Sequence, residues 1–152
     1  MSLDSDIALL KKVPVFCDLP AEQIRVIAFS AEPLTLVDGA VLFREGERAD
    51  AGYVVVKGTI VLVAEDGVAP VRAGPGSLIG ETALILESQR PATATAAGPA
   101  EVIRVRRALI QRMMDEYPDI AVRMRDRMAT RVRQATAELA RVGLRLEALG
   151  DE

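Results

Sequence analysis

The sequence predicts an α+β fold: an antiparallel β jelly-roll barrel flanked by N-terminal helices and a long C-terminal helix. Three observations carry that expectation. Apolar residues recur at helical spacing over the first thirty positions and again beyond position 106. Between them lie short β-branched runs cut by glycine-bearing turns. The chain has 152 residues, the size of one ordinary domain, so the segments are read as parts of a single unit spanning 1–152.

In the helical lead-in, 4–30, Ile7, Leu10 and Val13 recur at helical spacing, and Pro20 opens a second segment through Ile24, Ile27 and Ala28. A β-roll over 31–106 follows. Its runs PLTLV, AVLF, GYVVVK, TIVLVA and AEVIRV are rich in residues that fit a pleated surface, and DG, EG, KG, EDG and GPG separate them. The strands around Gly58 and the EDG turn at 65–67 are expected to form a meander, because Asp-Gly suits a tight hairpin.

C-terminal helices over 107–149 begin near Arg107. Pro118 sits where a helix can start, and the chain then runs to its end without another proline. Met128, Val132, Ala135, Leu139, Val142, Leu146 and Leu149 alternate spacings of four and three, the pattern of a heptad seam, which predicts a homodimer paired through 128–149. The seam lasts about three heptads, contains Gly143, and continues upstream through Met124 and Ile120 at a spacing of four. A helix lying on its own barrel accounts for the same residues.

Composition removes several classes of function. No run approaches the roughly 18 residues of a membrane-spanning helix, so no membrane partner is expected. The N-terminus, MSLDSDIALLKKV, lacks the extended apolar region of a signal peptide, and a single cysteine cannot form an internal disulfide; a cytoplasmic location follows. The absence of histidine removes Ser-His-Asp and Cys-His catalysis, and with it most zinc, iron and haem sites. Neither an enzyme, a metal nor a cofactor is expected, and a cupin-type barrel enzyme lacks its metal-binding histidines.

A net charge of −3 offers no general attraction for nucleic acid, and Arg123, Arg125, Arg127, Arg131 and Arg133 go around a helix rather than along one face. No direct nucleic-acid binding is expected from this chain. Cys17 reads as a buried small hydrophobe, and Met113, Met114, Met124 and Met128 read as helix packing.

The most informative stretch is GPGSLIGETALILESQRPATATA, residues 74–96. It reads as a glycine-rich turn entering a short helix at Glu81, with Ala83, Leu84 and Leu86 inward. Such a start exposes unpaired N–H groups at the positive end of a helix dipole, which favours a phosphate. Arg90 follows, and a guanidinium can clamp phosphate oxygens with two parallel hydrogen bonds. Beside a phosphate, Glu81 makes sense as an acceptor for a sugar hydroxyl, so the set points to a sugar phosphate. The same pair also fits a structural ion pair tying two barrel loops together.

Residues 79–96 resemble the phosphate-binding cassette of the cyclic-nucleotide-binding domain family. The resemblance rests on Gly80, Glu81, Ala83, Arg90, Ala92, Thr93 and Ala96, and on a glycine framework of Gly39, Gly46, Gly58 and Gly76. It implies a cyclic nucleotide, cAMP or cGMP, as ligand. Glu81 would then accept from the ribose 2′-hydroxyl, Arg90 would pair with the cyclic phosphate, and the amides of Thr82 and Ala83 would hold the same phosphate. Where the family carries Ser, Thr or Ala after the arginine, this chain has Pro91, which offers neither N–H nor hydroxyl. The missing hydroxyl implies cAMP over cGMP.

The terminal helix resembles that of transcription regulators of the catabolite activator type, whose Thr-Ser pair reaches the base. The aligned pair here is Ala135-Thr136, so Thr136 is either a base contact or a solvated threonine. The implied role is a regulatory module that signals through its C-terminal helix to an unidentified effector. The alternatives are a fragment of a DNA-binding regulator of that type, and a degenerate dimerisation domain without ligand.

Overall fold

The computed structural model describes residues 3–17, 19–65, 67, 69–127 and 129. Helix α1 (Leu3–Leu10) and helix α2 (Ala21–Ser30) form the lead-in. Val13 lies beyond the end of α1, not on it, since Pro14 lacks the N–H a continuing helix needs. The chain instead runs through turns in which Val13 accepts from Phe16 and Cys17 at 2.9 Å, and Val13, Val15 and Phe16 turn inward. Cys17 is thereby left exposed, its thiol donating to the Pro14 carbonyl at 3.3 Å, contrary to the expectation of a buried hydrophobe.

Ten strands follow: β1 (Glu32–Leu36), β2 (Val41–Phe43), β3 (Arg48–Ala49), β4 (Ala51–Lys57), β5 (Ile60–Val63), β6 (Val71–Ala73), β7 (Leu78–Ile79), β8 (Ser88–Gln89), β9 (Thr93–Ala96) and β10 (Ala100–Arg106). They pair antiparallel in two four-stranded sheets, ordered β1-β10-β4-β7 and β2-β9-β5-β6, with β3 and β8 as a separate ribbon. Helix α3 (Arg107–Glu116) and a further helical segment at 118–127 close the described structure. This is the expected α+β jelly roll.

The meander expectation holds only in part. β5 pairs with β6, Leu62 opposite Val71, but across the connection 64–70 and not a two-residue turn. β4 and β5 do not pair: the chain leaves one sheet for the other at Gly58. Gly58 has φ +82°, and a β-carbon there would lie 2.5 Å from the Pro99 carbonyl oxygen. The glycine therefore permits both a left-handed backbone and a close crossing of chains.

Strand β4 is buried at its first six residues because it serves two cores. Tyr53 and Val55 face the barrel interior with Phe43, Ile60, Ala94, Ala96 and Val102. Val54 and Val56 face the helices, where Leu10, Phe16, Ile24, Ile27, Ile110 and Met113 join Ile103 and Val105 of β10. The methionines Met113, Met114 and Met124 pack in this second core, as expected.

The helical stretch is interrupted between α3 and the segment that starts at Pro118, where a helix start was expected. Tyr117, ahead of Pro118, has φ −131° and ψ 81°, the extended conformation that a following proline imposes. Ile120, Ala121 and Met124 then pack into the helical core of their own domain, while Arg123 and Arg125 are exposed. The heptad residues Met128 to Leu149 and Thr136 lie outside the described residues. Among the described residues no helix is long and apolar enough to cross a membrane.

Two predictions follow from this packing. Gly58→Ala combines the left-handed backbone with a backbone collision and is expected to destabilise by roughly 2–4 kcal/mol. Gly39→Ala, at a similar φ of +81° but in open space, is expected to lose only about 1 kcal/mol. Denaturant unfolding of both variants measures the contrast. On the outer sheet, Glu32 accepts from Arg106 at 2.5 Å and from Arg104 at 3.2 Å. The Arg106 hydrogen bond, with the charges of both arginines, holds its carboxyl below the ordinary range. A depressed native pKa contributes stability that is present above the unfolded-state pKa and lost as pH falls through the native one. The stability difference between wild type and Glu32→Gln is therefore expected to be constant near neutrality and to shrink on acidification below the ordinary carboxylate range.

Candidate functional site

The site forms where the connection from β7 meets the connection from β8 to β9. Gly80 caps a 3-10 turn, Glu81–Leu84, with φ 74° and ψ 37°. A β-carbon at Gly80 would sit 2.5 Å from Nη1 of Arg90, so the arginine lies directly over the glycine. Ala83 and Leu84 anchor the turn in the interior, whereas Leu86 is 56% exposed and not inward as expected. The turn ends at Leu84, so the periodicity of a longer helix does not reach Leu86.

Arg90 is fixed by its backbone as well as its side chain. Its N–H donates to the Glu47 carbonyl at 2.8 Å, and its carbonyl accepts from Gly46 at 2.8 Å, which ties the arginine to the FREGE turn. The side chain enters the barrel and is only 4% exposed. Nη2 donates to the Ala51 carbonyl at 2.8 Å. Cζ stands 4.2 Å from the centroid of the Phe43 ring and 5.5 Å from that of Tyr53. Nε and Nη1 are buried and have no hydrogen-bond partner among the described residues.

The hydrogen bond shown for this guanidinium runs to a backbone carbonyl, that of Ala51. Burial lowers the Arg90 pKa, with Arg104 acting in the same direction, while Tyr53, Asp50 and Glu47 favour the charged form. A buried cation with two idle donors is costly unless an anion arrives to accept from them.

Beside it lies a cavity of about 260 Å³. Of the residues singled out in the sequence, Gly80, Thr82, Ala83, Arg90 and Pro91 line it, together with Ala49, Ser88 and Gln89. Glu81 is half-buried in the same turn and is not part of the lining; Ala92, also half-buried, lies just beyond it. The Ala83 N–H donates to the Gly80 carbonyl at 3.1 Å, so the turn itself engages one of the two amides expected to serve a phosphate.

Besides the lining residues Ala49, Ser88 and Gln89 and the acceptor Ala51, sequence reasoning missed Phe43, Tyr53 and Arg107. Phe43 and Tyr53 give the guanidinium its aromatic surroundings, and their only sequence signal was aromatic scarcity in a chain with three phenylalanines and two tyrosines. Arg107, the first residue of α3, donates through Nη1 to the carbonyls of Ala49 at 3.1 Å and Leu86 at 3.0 Å. It links that helix to the cavity wall and to the end of the 3-10 turn. An ion pair between Arg48 and Glu87 spans the exposed rim nearby.

The family model for the cyclic nucleotide-binding domain matches residues 33–117. The structure of a cyclic nucleotide-binding-like protein from Brucella abortus is 42% identical, with a TM-score of 0.66, over 74% of this chain and 99% of that one. The regulatory domain of Toxoplasma gondii PKA, solved with cAMP, is 25% identical with a TM-score of 0.72, over 87% of this chain and 50% of that one. Lysophospholipase nte1 of Neurospora crassa is 34% identical over 123 residues, which is 78% of this chain but 8% of that protein. The matched span runs from within β1 to the end of α3 and contains every residue that lines the cavity, and by that match the chain belongs to the cyclic nucleotide-binding domain family.

Proposed function

We propose that this chain is a regulatory, non-catalytic module that senses a cyclic nucleotide, with cAMP preferred, and signals through its C-terminal helices. The observation that carries the reading is the Arg90 guanidinium: buried, charged, and with its Nε and Nη1 nitrogens unpartnered, Nη1 beside the Gly80 turn. A cyclic phosphate seated over the Gly80 turn accepts from Nη1 in a water-poor setting, where charge-assisted hydrogen bonds are strong. Glu81 accepts from the ribose 2′-hydroxyl. Thr82 supplies a further backbone donor from the start of the turn, where N–H groups lack intrahelical partners.

The preference for cAMP rests on Pro91, which lines the cavity and brings neither a hydroxyl nor an N–H to a guanine. The cavity of about 260 Å³ lies just under the usual range of small-molecule sites and suits the sugar and phosphate, leaving the base toward the opening. Thr136 is a base contact in this reading. A ligand that draws the 3-10 turn toward Arg90 pulls on Leu86, and through Arg107 on α3; that is a direct mechanical route to the terminal helix. The effector and the homodimer through 128–149 belong to the same proposal.

Calorimetric titration with cAMP and cGMP tests it. Wild type is expected to bind cAMP more tightly than cGMP, and no heat with either nucleotide at millimolar concentration overturns the reading. Arg90→Met is expected to weaken binding by at least about 100-fold, yet to raise ligand-free stability by roughly 1–2 kcal/mol, because it removes a buried charge with unmet donors. Glu81→Ala is expected to bind cAMP and its 2′-deoxy analogue equally, whereas wild type distinguishes them. For assembly, sedimentation of wild type is expected to give a dimer that Leu139→Asp dissociates; a wild-type monomer at high concentration refutes the seam.

A further inference from the structure

We propose that Phe43 is a positioning residue of the anion site, its ring carrying the face of the Arg90 guanidinium so that the edge donors stay available to a phosphate. This rests on the reading of Arg90 as the phosphate-binding group and adds how the arginine is held ready.

A guanidinium presents two chemically distinct surfaces. Its edge carries the N–H donors, and its flat face carries none. A carboxylate partner binds the edge and so competes with the phosphate for the same donors. An aromatic ring binds the face through its quadrupole and leaves the edge untouched. Phe43 is placed for the second role: Cζ of Arg90 lies over its ring, 4.2 Å from the centroid, and the residue is only 6% exposed. Among the described residues the edge spends one donor, Nη2, on the Ala51 carbonyl and keeps Nε and Nη1 unpartnered. Nη1 is held over Gly80, where the phosphate-binding turn begins.

Tyr53 does less for Arg90. Its ring is farther, at 5.5 Å, and it also faces the guanidinium of Arg104 at 5.7 Å, which Glu32 holds on the outer sheet. The Phe43 ring contacts Tyr53 at 5.8 Å with planes inclined by 33°, so Tyr53 props the ring that carries Arg90. Phe43 itself sits in β2 opposite Ala94, and the small side chains of Ala94 and Ala96 on β9 leave the barrel interior open for ring and guanidinium together.

The test measures cAMP affinity in wild type, Phe43→Leu and Phe43→Tyr, with the Arg90 Nε–H resonance followed by NMR in each ligand-free protein. Phe43→Leu keeps an apolar side chain and loses the ring; a roughly ten-fold loss of affinity is expected. Phe43→Tyr restores the ring and the affinity. In wild type the Arg90 Nε–H proton is expected upfield of the other arginines through the ring current, and to return toward them in Phe43→Leu. A folded Phe43→Leu that binds like wild type overturns the proposal, as does equal loss in Phe43→Leu and Phe43→Tyr. Should Phe43→Leu not fold, the wild-type resonance decides: an unshifted Nε–H overturns the stacking. If wild type binds no cyclic nucleotide, the binding reading fails, while the resonance still reports separately whether the ring carries the guanidinium.

Discussion

The antiparallel pairing of β4 with β10 divides the protein into its two cores, and β4 carries the carbonyl to which the buried Arg90 side chain donates. Each strand is clothed on both faces, one turned to the barrel interior and the other to the helices. Because side chains alternate along a strand, a slip of one residue would exchange the two sets and bring the helix-facing Val54 and Val56 into the barrel. Six consecutive buried residues in β4 are the sequence cost of serving both layers. The site hangs on this strand directly, since Ala51 supplies the carbonyl that orients Arg90 and Tyr53 supplies the ring that props Phe43.

The site itself is a controlled violation of the rules that build the rest of the barrel. A guanidinium stands in an apolar interior with two donors idle, an arrangement that a fold selected for stability alone would avoid. What makes it tolerable is the division of labour around one planar group: the Phe43 ring beside its Cζ, a carbonyl on one N–H, and a glycine whose missing side chain leaves room over Nη1. Pinning the Arg90 backbone to the turn at Gly46 and Glu47 fixes the origin of the side chain, so its direction is set before any ligand arrives. Arg107 then joins the cavity wall, the 3-10 turn and α3, so a displacement at the turn has a short path to the terminal helices.

Much of this was legible in the chain. The switch from helical spacing to short β-branched runs at about position 31, and back at Arg107, located the layers because periodicity reports which face of an element is buried. The glycine-led turn and Arg90 were legible as parts of one place in the fold, and the structure brings both to the wall of one cavity. Other features were misjudged for definite reasons. Val13 and Leu86 continue a periodic pattern past the point where Pro14 and the shortness of a 3-10 turn end the helix. Cys17 follows two buried residues yet is carried outward by the turn. The strands beside Gly58 read as a hairpin because local sequence does not say which sheet a strand will join.

By itself, the sequence determined the class of elements, their order, and the chemical types gathered in residues 79–96, because propensity, turn chemistry and charge are properties of short segments. Tertiary structure alone decided that Arg90 is buried against the Ala51 carbonyl, and that aromatic residues from β2 and β4 lie beside it. Arg90 is 39 positions from Ala51 and farther still from Phe43 along the chain, and it meets them only when the barrel closes. Which face of a guanidinium meets a ring, and which edge is left for a ligand, are fixed by that closure and by nothing local.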